Sequence, residues 1–171
     1  LWWQALWIEQ NLCRWLALEL TKSPWMVALW GFFRMSPFLL GIFTPVITDR
    51  FPRKELLLVL QGIVISGFLC LAVLYWQGAL KYWQLVALSI LNGIAFTLDW
   101  PTRRSLIPDL VGRKNAIDGI LLENVTAGLG LFLGPIIGGV LLQKMDAAIV
   151  LVTMSLFLVG SSGFLMTLKT T

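Results

Sequence analysis

The 171 residues are 58% hydrophobic and 13% charged, where soluble globular domains run at about 45–50% and 25%, and mean hydropathy is +0.83. A water-soluble fold and a disordered chain are both excluded. Histidine is absent, so the commonest general base, the commonest metal ligand and any Ser-His-Asp triad are missing. The formal charge of +4 comes from basic residues dispersed between apolar stretches; no continuous stripe awaits nucleic acid, and the charge is expected to set membrane topology.

A bilayer core about 30 Å thick needs about 20 apolar residues of helix, and the chain divides into six such segments: 1–20, 25–48, 56–76, 82–100, 116–142 and 147–168. Charged residues with Pro or Gly mark the breaks at positions 21–24, 49–55, 77–78, 101–115 and 143–146. Nine tryptophans suit such a chain, because indole satisfies its apolar body and its N–H at the membrane–water boundary. Cys13 and Cys70 lie in apolar runs and read as small hydrophobes. The first segment is already apolar at Leu1-Trp2-Trp3 and lacks an initial Met, so the chain is expected to be a fragment that begins inside its first helix.

Lys and Arg in the short loops give the orientation. One side receives Arg50, Arg53, Lys54, Arg103, Arg104, Arg113, Lys114 and Lys169, the other Lys22, Lys81 and Lys144. The loops after helices 2 and 4 are therefore expected to be cytoplasmic. The third and sixth spans carry no charge and are expected to face lipid; the other four carry Glu9 and Arg14, Arg34, Asp99, and Asp118 with Glu123. The order charged, charged, uncharged occurs twice, which hints at a three-plus-three repeat.

In helix 1, Gln4, Trp7, Asn11 and Arg14 form a polar stripe at steps of three and four, with Glu9 on another face. Such a stripe is either a substrate-facing wall or a hydrogen-bonded seam to a neighbouring helix. Helix 2 places Arg34 above Phe38, Gly41 and Pro45, near mid-membrane, where it needs a carboxylate; Glu9 and Glu123 are the candidates. In helix 4, Asn92 and Asp99 share one side, and Asp99 can pair with Arg103 one turn on. Helix 5 repeats Gly130, Gly134 and Gly138 every four residues, permitting close helix approach, while Pro135 permits a bend. Glu123 shares that face and, as a buried carboxylate, is a proton-carrier candidate.

These residues resemble the amino-terminal half of a major facilitator superfamily transporter. After helix 2 that superfamily carries Gly, three residues, Asp-Arg, one residue, then Gly-Arg and a further basic residue. Positions 45–54 match at Asp49, Arg50, Arg53 and Lys54, with Pro45 and Pro52 where the glycines stand. Leu20-Thr21-Lys22-Ser23-Pro24 and the stretch from Pro101 to Val111 resemble the helix 1 end and the helix 4–5 connection of drug and siderophore exporters in the superfamily. The run through Gly134, Pro135, Gly138 and Gly139 looks like their antiporter element. Where these relatives often carry Gln in helix 1, Glu9 stands here.

The resemblance implies an all-α integral membrane fold, one six-helix half of a twelve-helix bundle, in a bacterial inner membrane, with the carboxy-terminal six-helix half as partner. It implies proton-coupled export of small hydrophobic compounds or siderophore-like chelates. Gln4, Asn11, Arg14, Arg34 and Asn92 are then cavity candidates, and Glu123 and Glu9 proton-coupling candidates. Asp49, Arg50, Arg53, Lys54, Asp99, Arg103 and Arg104 form a cytoplasmic gate. The expected partners are membrane lipid, a small-molecule substrate and protons, with no nucleic acid, cofactor or metal. The polar residues offer no nucleophile–base pair, so an enzyme is not expected. Two other readings stay open: a six-helix membrane subunit without transport activity, and an uncoupled facilitator or importer.

Overall fold

A computed structural model describes residues 2–44, 48 and 52–167, with the backbone alone at positions 40, 42 and 43. Helix α1 spans Trp2–Thr21. It ends at Lys22, whose φ of 53° is left-handed and whose N–H reaches Leu18 C=O at 2.7 Å. Helix α2, Pro24–Met35, opens on a proline at its first position, where no donor is lost. It then tightens into a 3₁₀ segment over Ser36–Phe43. Pro37 explains the change, because it has no N–H for Phe33 C=O; the Ser36 hydroxyl donates to that carbonyl instead, at 2.8 Å. At three residues per turn, residues four apart no longer stack, so Phe38 leaves the face of Arg34 that sequence spacing assigned to it. Helix 2, expected as one continuous span over 25–48, is therefore broken after Met35, and Pro45 lies outside the described residues.

Helix α3 spans Arg53–Trp76, α4 Tyr82–Val111, α5 Ala116–Lys144 and α6 Ala147–Thr167. Residues 101–111, expected as a connection, are helical. Pro101 and Pro108 each forfeit one ladder bond, which a helix packed between neighbours in a membrane absorbs; the stop comes at Gly112, with φ of 79°, followed by a 3₁₀ turn over Arg113–Asn115.

Among the described residues, four segments are long and apolar enough to cross a membrane: Arg53–Trp76, Tyr82–Val111, Arg113–Lys144 and Ala147–Thr167. In α2 the early break shortens the helix, and in α1 the polar residues of the site lower the hydropathy. The main packing pairs are α1 with α5, α2 and α6, α4 with α2, α3 and α5, and α3 with α6. The core is built from Leu12, Leu16, Trp30, Val64, Phe68, Leu71, Leu151 and Leu158. The charge-free stretch 56–76 of α3 and the whole of α6 bury one face each against one another, and α5, which carries Asp118 and Glu123, is the least buried of the four spans, with 17% of its most apolar stretch covered.

Candidate functional site

Three helices meet on one buried carboxylate. Glu9 of α1 accepts from Arg34 Nη1 of α2 at 2.9 Å and from Asn92 Nδ2 of α4 at 3.3 Å. Its other oxygen stands 2.9 Å from Arg34 Nη2, as an ion pair without hydrogen-bond alignment. One turn further along α1, the Cys13 thiol donates to Glu9 Oε1 at 3.4 Å. The Arg34 and Glu9 side chains are 2% and 1% exposed, and the guanidinium lies 5.7 Å from the centre of the Trp30 ring. Backbone geometry allows this meeting: a Cβ on Gly93 would stand 2.2 Å from Arg34 C=O, so only glycine lets α4 settle on α2 at that level. Of the two carboxylates that spacing offered to Arg34, Glu9 is the partner.

Beside this cluster runs a groove between α1, the 3₁₀ extension of α2, and α4. It comprises two adjoining cavities of about 580 Å³ and about 500 Å³ that share Phe38, Phe96 and Trp100. Trp3 packs edge-on against Trp100 and Phe96, with ring centres 5.0 Å and 6.2 Å apart. Arg14 and Gln10 line the same groove, and Arg14 Nη2 donates to Gln10 Oε1 at 3.4 Å. The polar stripe of helix 1 is thus divided. Arg14 faces this groove, Gln4 lines a cleft toward α5 and α6, and the Asn11 amide is turned back onto Trp7 C=O at 2.7 Å. The i, i+4 pairs Trp3/Trp7 and Phe96/Trp100 were the sequence signal for this wall.

At the end of the bundle that carries Arg53 and Arg103, three polar links join helices. Asp99 accepts both arms of Arg103, at 3.1 Å and 2.9 Å, and the Trp2 indole N–H at 3.1 Å. Arg53 donates to Asp109 at 2.7 Å and to Ser105 C=O at 2.9 Å, tying the start of α3 to the end of α4. Lys54 donates to Met166 C=O of α6 at 2.9 Å. Asp109 and Trp2 were not singled out by sequence spacing. Asp49 and Arg50 lie outside the described residues.

Glu123, 11% exposed, faces Arg104 Nε at 3.7 Å, while Arg104 Nη2 donates to Asn124 at 2.9 Å and its guanidinium lies 5.1 Å from the Trp100 ring. Glu123 Oε2 is buried with no hydrogen-bond partner among the described residues. Further along α5, Gly130, Gly134 and Gly138 press on α1. A Cβ on Gly134 would come within 2.4 Å of Trp7 Cβ, and one on Gly138 within 3.2 Å of Ile8 Cγ2. Pro135 and Gly139 face outward.

The chain matches the transmembrane secretion effector family over residues 4–169. It is 31% identical over 126 residues to the enterobactin exporter EntS of Citrobacter koseri. To EntS of Shigella boydii serotype 4 and of Escherichia coli O1:K1 it is 30% identical over the same length. Each alignment covers 72% of this chain and 30% of the relative, so the chain spans about a third of the length of the curated relatives it matches. No solved structure matches it. With membrane-length helices and a family match across nearly its whole length, the chain belongs to the transmembrane secretion effector family of the major facilitator type.

Proposed function

We propose that the chain forms one six-helix half of a twelve-helix secondary transporter that exports small hydrophobic or siderophore-like molecules by proton-coupled alternating access. The packing pairs support a three-plus-three repeat: exchanging helix n with helix n+3 turns α1–α5 into α4–α2, α1–α6 into α4–α3 and α1–α2 into α4–α5, and leaves α3–α6 unchanged. The observation that carries the reading is the buried Glu9–Arg34–Asn92 cluster beside an aromatic groove, since ionisable groups are retained inside a membrane where a transport path needs them. Substrate occupies the groove with Arg14 at its wall. The two carboxylates divide their work. Glu9, held by three donors, pins α1, α2 and α4 together. Glu123, whose Oε2 stands 3.7 Å from Arg104 Nε and makes no hydrogen bond among the described residues, takes up and releases the proton.

In this reading the basic end faces the cytoplasm of a bacterial inner membrane, and the partner is a second six-helix bundle. The links made by Arg53, Lys54, Asp99, Arg103 and Arg104, with Asp49 and Arg50, hold that end closed in one phase of the cycle. The likeness to proteins named enterobactin exporters supports outward transport. The test is accumulation of a panel of hydrophobic, chelating and dye compounds in cells with and without the full-length gene. Lower accumulation of some compounds, restored by a protonophore, is expected; equal accumulation of every compound contradicts the reading.

A further inference from the structure

We infer that the groove between α1, α2 and α4 selects planar aromatic anions; this rests on the export reading and names its substrate class. Five aromatic side chains from three segments line the groove: Trp3 and Trp7, Phe38, and Phe96 and Trp100. Their edge-to-face arrangement gives a flat aromatic ligand ring faces and edges to pack on. An aromatic wall alone would also suit an organic cation, so charge decides. Among the described residues, no acidic side chain lines either cavity, and the one formal charge on the lining is that of Arg14. Glu9 is already neutralised by Arg34, and Asp99 by Arg103. Behind the wall, the ring of Trp100 already carries the guanidinium of Arg104. A cation entering the groove meets Arg14 with no compensating carboxylate, whereas an anion gains a charge-assisted hydrogen bond from a guanidinium whose protein contact in the groove is a 3.4 Å bond to Gln10. Adjoining volumes of about 580 Å³ and about 500 Å³ accommodate a ligand of two or more rings.

The test is calorimetric binding to the full-length protein in nanodiscs, with 2-naphthalenesulfonate, its cationic counterpart 2-naphthyltrimethylammonium, and the aliphatic anion cyclohexanesulfonate. The aromatic anion is expected to bind about tenfold more tightly than either comparison compound. Arg14→Gln removes about tenfold of that affinity and Arg14→Lys restores most of it, while melting temperature stays constant because the side chain is exposed. Equal or tighter binding of the cation overturns the inference, as does sulfonate binding unchanged by Arg14→Gln. The two proposals fail separately. Export of aromatic cations in the cell assay, with no anion preference here, leaves export standing and removes this substrate class. Selective sulfonate binding with no efflux of any compound leaves the groove's selectivity standing and removes export.

Discussion

Arg34 and Glu9, 25 positions apart in sequence, meet at 2.9 Å with both side chains almost wholly buried. Helix α2 holds no acidic residue, and Arg14 of α1 lies in the groove and bonds Gln10, so removing either partner strands the other in a buried, apolar site. Glu9→Gln is expected to destabilise the protein by about 3–5 kcal/mol, seen as a lower melting temperature in detergent. The paired replacement Glu9→Leu with Arg34→Met should recover much of the loss, because no uncompensated charge remains. A single variant that melts with the wild type would show that the pair is not holding α1 to α2.

The α1–α5 interface makes a sharper steric claim. Gly134 and Gly139 are five residues apart in one helix, yet a Cβ at the first would come within 2.4 Å of Trp7 Cβ, and at the second would meet nothing within 4 Å. Gly134→Ala should cost about 1–3 kcal/mol through forced separation of the helices. Gly139→Ala should be neutral or slightly stabilising, as expected for removing a glycine from a helix. Parallel thermal melts of the two variants check the contrast, and equal effects would argue against this packing.

The link between Arg53 and Asp109 is half exposed, at 43% and 42%, and an exposed pair contributes no more than about 1 kcal/mol. Asp109→Asn should therefore barely move the melting temperature. If the basic end is a gate, the same variant should change the transport rate severalfold in proteoliposomes. An unchanged rate would withdraw the gating role from this link.

Lys22 provides a check on backbone strain. Its φ of 53° at the end of α1 is left-handed without glycine's freedom. Lys22→Gly should stabilise the protein by about 0.5–1 kcal/mol, read from the melting temperature, and a decrease would mean that the lysine side chain contributes more than its backbone costs.

What could be read from sequence was local. The Asp99–Arg103 contact follows from i, i+4 spacing, the glycine face of α5 from its four-residue period, and the need of Arg34 for an acid from the cost of a lone charge in a bilayer. Choosing Glu9 over Glu123 needed the crossing of α2 and α4 at Gly93, which no spacing rule contains. Trp2 with Asp99, 97 positions apart, and Arg53 with Asp109, 56 apart, left no local trace. Prolines misled in both directions. Pro101 and Pro108 look like helix stops by the rules of water-exposed helices but lie inside α4, whereas Pro37, inside an expected continuous span, marks the change to 3₁₀ geometry.

Proton movement through Glu123 is tested most directly by reconstituting the full-length protein and its Glu123→Gln variant in vesicles with a trapped pH indicator. Substrate is then added and proton flux recorded. Substrate-dependent proton flux in the wild type, lost in the variant while substrate binding persists, is the expected result. Flux of equal size in both, or substrate movement in the wild type with no proton flux at all, would contradict it.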